Sequence, residues 1–241
     1  MPRESVLESG YMALLRLASN SPRRRQLLSL TGIPFTVHPV DIDERSLQGE
    51  APPDYVLRLA QNKARAALEH AHPGEVILTA DTTVADGARV LGKPSSPAEA
   101  REMLLSLRGR AHAVYTAIGV ADPSTGRLLT DLCATTVWMR EYSNAELEAY
   151  IASGDPFDKA GAYAIQNQAF HPVERIEGCY ACVVGLPVCH VLRVLQGFGL
   201  QPTIAVAAAC PEYLAINSPC LLTAKILENR RSETIPVQSQ D

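Results

Sequence analysis

The sequence predicts an α/β protein with a mixed central sheet. Stretches typical of strands and stretches typical of helices follow one another along the 241 residues, and 46% of these residues are hydrophobic. That fraction is enough to bury a sizeable core in one domain or in two closely joined lobes. The two kinds of element do not alternate strictly, which favours a mixed sheet.

Capping residues and apolar spacing predict the helices. Ser21 followed by Pro22 supplies an N-cap and an N1 proline before a helix over 23–30, and Gly32 ends that helix. The other predicted helices are two that begin at capping boxes, 96–99 and 143–146, and end at Gly109 and Gly154, and a longer one from about 53 to 70.

Apolar and β-branched runs between the helices predict the strands. They cover residues 14–18, 35–40, 76–80, 84–91, 113–120 and 128–139.

The character of the chain changes near residue 200. We expect an N-terminal tail over 1–12, one domain over 13–200 and a C-terminal extension of unknown role over 201–241. The extension reads as an appendage with a short helix at 221–227, and about its last ten residues are predicted to be disordered.

Charge and cysteine content limit the partners and the compartment. Lys and Arg total 22 against 26 Asp and Glu, a net charge of -4, so no global positive field is present to gather nucleic acid. No stretch approaches the about 18 consecutive apolar residues of a membrane span, and the first ten residues lack the apolar run of a secretory signal. We therefore expect a cytoplasmic protein that binds neither nucleic acid nor membrane, with its six cysteines as thiols.

The turn after the first strand is a candidate anion site. A strand ending at residue 18, the turn Ser19-Asn20-Ser21 and a helix starting at once direct free backbone N–H groups and a helix dipole to one point. Arg23 and Arg24 add forked donors suited to phosphate oxygens. The alternative is an ordinary capped helix with solvated arginines.

Four further stretches carry groups that could do chemistry. Asp81, beside Thr82 at the end of the predicted strand 76–80, suits metal binding or the orientation of a water molecule, although it could equally cap a turn. The acidic residues of 41–44 have a solvated loop as their default interpretation. The remaining candidates are Lys63 on the long helix, Lys93 in a Gly-Lys-Pro turn, and the stretch 158–166 with Lys159, Gly161, Tyr163 and Gln166, where small residues suit either the wall of a flat-ligand site or a tight bend.

Taken together and in this order, these stretches resemble the Maf family of nucleoside triphosphate pyrophosphatases. The matching motifs are Leu17-Ala-Ser-Asn-Ser-Pro-Arg-Arg24, Asp43-Glu44, Arg58-Leu-Ala60 with Lys63-Ala64, Ala80-Asp-Thr82, Gly92-Lys-Pro94, Lys159-Ala-Gly-Ala-Tyr163 with Ile165-Gln166, and Glu177-Gly178 with Val184-Gly-Leu-Pro187. The resemblance covers about residues 14 to 199. It implies a Maf-like fold related to the inosine triphosphatase-like fold: an elongated mixed sheet with flanking helices, a cleft between two lobes, and a homodimer.

The resemblance also implies an activity and the residues that perform it. Members cleave nucleoside triphosphates between the α and β phosphates to a monophosphate and pyrophosphate, a house-cleaning of the nucleotide pool. Glu44 and Asp81 would hold Mg²⁺ or Mn²⁺, Asp81 first and Glu44 second would activate water, and Lys93 would assist catalysis. The implied substrate-binding residues are Ser19, Ser21, Arg23, Arg24, Lys63, Thr82, Lys159 and Gln166.

Stretch 159–166 is similar to that of the dTTP/UTP-cleaving branch, and the Gln166 amide could meet a pyrimidine edge. Three alternatives stay open: a pyrophosphatase with its specificity shifted toward 7-methyl-GTP or modified pyrimidine nucleotides, a septum-associated regulatory protein that binds nucleotides but has lost turnover, and a nucleotidyltransferase.

The chain departs from the family pattern at three positions. Asn167 replaces a glycine, which we expect to reduce backbone freedom, while Cys179 and Cys182 replace an Asp and an Asn, which puts the support of the site in question. With Cys189 and His190 nearby, a zinc site and a redox pair are alternatives to ordinary buried thiols. The stretch 182–191 resembles a strand running into a helix, which would spread such ligands apart.

Overall fold

The computed structural model describes residues 14–214, 220, 222–228 and 233–236. The strands are β1 (Leu14–Leu17), β2 (Phe35–Val37), β3 (Glu75–Asp86), β4 (Arg89–Leu91), β5 (Ala111–Asp122), β6 (Arg127–Met139), β7 (Val173–Glu177) and β8 (Glu233–Pro236). The helices are α1 (Pro22–Ser29), α2 (Pro52–Leu68), α3 (Pro97–Leu107), α4 (Asn144–Ala152), α5 (Tyr180–Val184), α6 (Val188–Gln196), α7 (Val206–Tyr213) and α8 (Leu222–Glu228), with 3₁₀ turns at Asp155–Asp158 and Ala160–Ala162.

These strands form one mixed sheet, which confirms the predicted fold class. Its order in the described chain is β2-β1-β3-β5-β6-β7, with β4 beside β3 and β8 beside β6. The β1 strand is parallel to both of its neighbours, and the other pairs are antiparallel. Strands β3, β5 and β6 have 12, 12 and 13 residues, long enough for different helices to pack against their two ends.

Helices cover both faces of the sheet. One face carries two cores: α1, α5, α6 and α7 cover one end around Leu78 and Ile118, and α3 and α4 cover the other around Val114 and Val137. Helix α2 covers the opposite face, where its alanines allow close approach to β3 and β5. Thr79 donates a hydrogen bond of 2.8 Å to the Ala60 carbonyl of that helix. The two cores define two lobes that share one sheet.

The predicted strand over 84–91 is wrong, and so is the predicted strand end before Asp81. Strand β3 continues through Asp81 to Asp86, and Gly87, with φ of +61°, turns the chain back into β4. The β-branched Thr82 and Thr83 favour extended backbone, so the polar residues do not stop the strand. What ends at this level is the parallel neighbour β1, whose Leu17 pairs with Leu78.

The helix starts are confirmed, with one detail different. Ser21, Ser96 and Ser143 each accept a hydrogen bond from a backbone N–H of the first turn. The capping box at 143–146 is closed in both directions, whereas Glu99 bonds to Ser95 instead of returning to Ser96.

The extension is integrated into the domain instead of forming a separate appendage. Helix α7 buries Val206, Cys210 and Leu214 in the core beside α1 and α6, and α8 packs on α6. The short helix predicted at 221–227 is confirmed. The residues of β8 were predicted to be disordered, yet they pair with β6. The predictions for 1–12 and for 237–241 concern residues outside the described part.

Gly161→Ala tests the contact between the loop 159–163 and the sheet. Gly161 has φ of +68°, and a Cβ there would lie 2.8 Å from Cγ1 of Val84. Gly87→Ala is the matched control, because its φ is +61° with no atom within 4 Å of the added carbon. We expect urea denaturation to show a loss of about 1–2 kcal/mol for the control and of about 1–3 kcal/mol more for Gly161→Ala. Equal losses would contradict this packing.

Candidate active site

A gap in the edge of the sheet forms the candidate active site. Strand β1 pairs with β3 as far as Leu78, and β4 begins to pair with β3 at Val84. Between these points, residues 79–83 have β5 on one side and no strand of the described chain on the other. Side chains alternate along a strand, so Asp81 and Thr82 point to opposite faces at this gap.

A cleft of about 460 Å³ opens at the gap, between the two lobes. Every site residue predicted from the sequence except Asp81 lines it, and Asp81 contacts it through Lys63. The lining residues predicted from the sequence are Ser19, Ser21, Arg23, Arg24, Glu44, Lys63, Thr82, Lys93, Lys159 and Gln166.

The turn between β1 and α1 closes one end of the cleft. Ser21 is the N-cap of α1 and accepts a hydrogen bond from the Arg24 N–H at 3.4 Å, while its own N–H donates to Ser19 Oγ at 3.2 Å. Pro22 occupies the first turn, where the absence of its N–H costs nothing. The positive end of the α1 dipole therefore lies at the cleft.

Arg24 is fixed by three parts of the chain. Its Nη1 donates to Ser19 Oγ at 3.3 Å, its Nη2 to Thr82 Oγ1 at 3.3 Å, and its Nε to the Gly185 carbonyl at 3.0 Å. Burial lowers the pKa of Arg24, against the opposing effect of Asp81 and Glu44. An arginine stays charged under such a shift, so a fixed cation lies at the sheet gap.

The hydroxyl groups of Thr82 and Thr116 form a hydrogen-bonded chain that supports Arg24. Thr116 donates to the Cys182 carbonyl at 2.8 Å, so the hydrogen in its 2.9 Å contact with Thr82 comes from Thr82. Thr82 thus donates to Thr116 and accepts from Arg24. This chain connects β3, β5 and α5, and it fixes the orientation of the guanidinium.

Lys63 joins the two carboxylates on the α2 side of the gap. Its Nζ lies 2.5 Å from Asp81 Oδ1 and 2.7 Å from Glu44 Oε1. Asp81 is 7% exposed, and burial raises its pKa although Lys63 and Arg24 oppose that rise. Burial also acts to raise the pKa of Glu44, but the hydrogen bond and charge of Lys63 outweigh it and lower that pKa overall.

The acidic loop 41–44 divides between solvent and cleft. Asp43 forms an exposed ion pair with Arg45, as the solvated-loop interpretation predicts. Asp41 and Glu44 line the cleft instead, and the Glu44 carbonyl accepts a hydrogen bond from Tyr55.

The far end of the cleft is less charged. Val84, Val114, Tyr163 and Ile165 line it with apolar surface, and the exposed Gln166 lies beside them. Tyr163 Oη lies 2.8 Å from Nε2 of His112, and both residues are buried. This end suits a flat, partly apolar group, while the Arg24 end suits an anion.

Among the cations of the cleft, Lys159 is already neutralised. Its Nζ contacts Asp155 O at 2.6 Å, Asp155 Oδ1 at 3.0 Å and Asp158 Oδ1 at 2.5 Å, which uses all the donors of an ammonium group. Arg23 faces Asp158 at 3.6 Å. Lys93 makes no ion pair with a described residue. Lys93 and Arg24 therefore have N–H groups to offer a ligand, whereas Lys159 stabilises the loop.

Comparison with known proteins identifies the family. The family model described as Maf-like protein matches residues 14–198. The chain belongs to the Maf family. A dTTP/UTP pyrophosphatase of Citrifermentans bemidjiense is 46% identical over 183 residues, which are 76% of this chain and 94% of that protein. Proteins of the same name from Thermomicrobium roseum, 47% identical, and Dehalococcoides mccartyi, 41% identical, align with 77% and 78% of this chain and 84% of their own lengths.

The departures from the Maf pattern leave the cleft intact. Asn167 has no positive φ, and its side chain bonds to Asp155 Oδ2 and to the Phe170 N–H, so it braces the loop. Cys182 supports the site through its carbonyl, which any residue would supply. Thr135 bonds to both the N–H and the carbonyl of Cys179.

The cysteines are free thiols, as predicted. No group of three His, Cys, Asp or Glu in the described chain could hold a metal ion, and His190 faces Asp131 at 3.1 Å, so the zinc interpretation receives no support. Of the strand running into a helix that was predicted over 182–191, the helix is confirmed as α6 and the strand is wrong, because α5 and a turn at 185–187 precede α6. Nearly every residue of that stretch is buried. Its sequence therefore lacks the alternation of apolar and polar residues that distinguishes a helix from a strand.

Sequence analysis missed the groups that act through distant contacts. Gly185 bonds to Arg24, 161 positions away, His112 to Tyr163, 51 positions away, and Thr116 to Thr82, 34 positions away. Asp158 and Asp41 were inside stretches already singled out, and for Asp158 the adjacent Lys159 was the available signal. None of the helices in the described chain combines the length and apolar character needed to cross a bilayer.

Acid titration tests the burial of His112. Burial lowers its pKa to about 4, whereas the unfolded chain has a histidine pKa of about 6.5. Between these values the unfolded state binds more protons, so the free energy of unfolding falls as the pH drops through this window, by up to about 3 kcal/mol. We expect the difference in unfolding free energy between pH 7 and pH 4.5 to shrink in His112→Phe and to stay unchanged in His38→Phe, whose histidine is exposed. The same pH dependence in all three proteins would contradict the prediction.

Proposed function

We propose that the cleft hydrolyses nucleoside triphosphates between the α and β phosphates, with dTTP and UTP as substrates. The observation that carries this proposal is the fixed Arg24 at the gap in the sheet, with the Asp81 and Glu44 carboxylates beside it. The names of the relatives support the choice of nucleotide. The products are a nucleoside monophosphate and pyrophosphate, and removing surplus or modified pyrimidine nucleotides is a house-cleaning task.

The cationic end of the cleft suits the triphosphate. Arg24 uses one N–H of each terminal nitrogen within the protein, which leaves one on each for phosphate oxygens. Arg23, Lys93 and the start of α1 add positive charge on the same side. Such preorganised charge stabilises the oxygens of the transferring phosphoryl group, which is the main demand of this reaction.

Asp81 is the residue we propose to activate water. Its Oδ1 accepts from Lys63, and its Oδ2 makes no hydrogen bond with a described residue. Because burial raises its pKa, the carboxylate is a stronger base than an exposed aspartate. Glu44 is more exposed, with its side chain 51% accessible, and it ranks second.

The donor chemistry of the site fits a divalent cation. Glu44 Oε1 and Asp81 Oδ1 converge on one point, the Lys63 Nζ, and hard oxygen pairs of this kind suit Mg²⁺ or Mn²⁺. Such ions are commonly held by one or two carboxylates, with substrate phosphates and water completing the shell. When bound, the ion would polarise phosphate oxygens and lower the pKa of water.

The proposed assembly rests on the family resemblance, and the proposed location rests on the composition of the sequence. We propose a homodimer in the cytoplasm; light scattering coupled to gel filtration gives the mass directly. The exposed large hydrophobic residues of the described chain, Leu14, Leu47, Leu105, Ile204 and Tyr213, are distributed over several elements.

Asp81→Asn tests the chemistry. Loss of the base should lower kcat for UTP by about 10² to 10³, with pyrophosphate and UMP followed by chromatography. Asp86→Asn is the matched control, since Asp86 lies on the same strand and pairs with Arg110 outside the cleft; it should keep its rate.

The parent protein is assayed with dTTP, UTP, CTP, ATP, GTP and 7-methyl-GTP, with Mg²⁺ or Mn²⁺. Turnover of 7-methyl-GTP alone would contradict the substrate assignment. Turnover unaffected by Asp81→Asn would contradict the mechanism, and binding without turnover would make the protein a nucleotide-binding regulator.

A further inference from the structure

Two buried side chains at the far end of the cleft have more hydrogens than partners. His112 and Tyr163 are each 5% exposed, and within the described chain their side chains share a single hydrogen bond, which joins Nε2 to Oη at 2.8 Å. The other ring nitrogen, Nδ1, is buried with no partner in the described chain. A neutral histidine carries one N–H and a tyrosine one O–H. One bond can use one of these two hydrogens, so the other is left over.

The spare hydrogen can lie on His112 Nδ1 or on the Tyr163 hydroxyl, and the surroundings of the two atoms decide between them. His112 is neutral at pH 7, because burial lowers its pKa to about 4. If Tyr163 donated to Nε2, the ring hydrogen would sit on the buried Nδ1 with nothing to accept it. Orphaned buried N–H groups are rare and unfavourable. If Nε2–H donates to Tyr163, Nδ1 keeps only a lone pair, and the hydrogen without a partner is the hydroxyl hydrogen of Tyr163, which lines the cleft whereas His112 does not.

The strands give the distance of this hydroxyl from the phosphate end. Every second residue of a strand lies on the same face, so His112, Val114 and Thr116 share one face of β5. Thr116 contacts Thr82, which bonds to Arg24. Four residues of strand separate Thr116 from His112, about 13 Å at the usual rise. Val84 and Val114 lie side by side between the two ends. The cleft therefore has cations at one end, apolar surface in the middle and, at the other end, Tyr163, a neutral residue whose hydroxyl carries the spare hydrogen.

We propose that Tyr163 donates a hydrogen bond to the C4 carbonyl of uracil or thymine, and that His112 is the positioning residue that directs this hydroxyl. This inference rests on the proposed function. In a pyrimidine nucleotide the C2 carbonyl adjoins the sugar-bearing N1, whereas the C4 group lies at the edge remote from the sugar and phosphates. A neutral donor at the far end of the cleft faces that edge. Cytosine carries an amino group at C4, which cannot accept, so the pair disfavours CTP.

Tyr163→Phe removes the hydroxyl and keeps the ring. We expect kcat/KM for UTP to fall about tenfold, the usual effect of one neutral hydrogen bond, while kcat/KM for CTP stays within about twofold. In the parent, 4-thio-UTP should be turned over more slowly than UTP, because sulfur is a weaker acceptor. In Tyr163→Phe the two should be equal, and 2-thio-UTP should respond to the substitution as UTP does.

His112→Phe tests the positioning role. It removes the partner of Tyr163 without touching the cleft lining, and we expect a smaller loss for UTP with CTP again unchanged. The matched control is Tyr142→Phe, another buried tyrosine of the same core whose hydroxyl bonds to the Leu104 carbonyl. It should lower the melting temperature and leave the UTP to CTP ratio unchanged, as a purely structural hydroxyl would.

Two results would overturn the inference: equal losses for UTP and CTP in Tyr163→Phe, or a 4-thio effect that persists in that variant. Calorimetric binding of UTP and CTP to parent and Tyr163→Phe separates this inference from the proposed function. A parent that prefers UTP in binding, with that preference lost in the variant, supports the role of Tyr163 even without turnover. Turnover without any preference between UTP and CTP leaves the pyrophosphatase function standing and contradicts the role of Tyr163.

Discussion

The partly buried guanidinium of Arg24 is the constraint on which the rest of the site depends. It bonds to the turn after β1, to β3 and to the turn after α5, three segments far apart in sequence. A cation removed from water needs such partners, because their hydrogen bonds offset the free-energy cost of desolvating the arginine. Satisfying it fixes the relative positions of the three segments, and the remaining N–H groups are left aimed at the cleft. Gly185 contributes a carbonyl and a φ of +122°, a conformation that a side chain would disfavour.

The gap in the sheet explains why the chemistry lies where it does. Strand β1 ends where Ser19 begins the turn, so β3 has an open edge at residues 79–83, and its side chains reach both faces there. On one face Thr82 meets Arg24, and on the other Asp81 meets Lys63 of α2. Strand β3 thus supplies a carboxylate, Asp81, and a hydroxyl that binds the Arg24 cation, Thr82, at the same opening. Both charged groups have partners there. The lobes on either side of this opening supply the remaining lining.

Local patterns predicted most of the fold, because capping boxes, prolines and glycines act over a few positions, whereas the roles of the site residues were implied by the family resemblance. The starts of α1, α3 and α4 follow from their serines alone. The failures concern features that distant pairing decides. Whether β3 stops before Asp81 depends on β5, which pairs with it beyond that point, and the stretch 182–191, buried except for Val183, has no exposed polar face to reveal its period. The functions of Thr116 and His112 likewise depend on contacts across the sheet, which no neighbouring residue encodes.

The central claim is that one cleft binds both ends of a nucleoside triphosphate, the phosphates at Arg24 and the base beyond Val84 and Val114. Inorganic tripolyphosphate has the first end without the second. The most direct measurement compares kcat/KM for tripolyphosphate and for UTP on the same protein at equal metal concentration. Binding energy from the nucleoside should raise the UTP value by at least about 10². Equal values for the two compounds would contradict the account, since the apolar half of the cleft would then contribute nothing to the reaction.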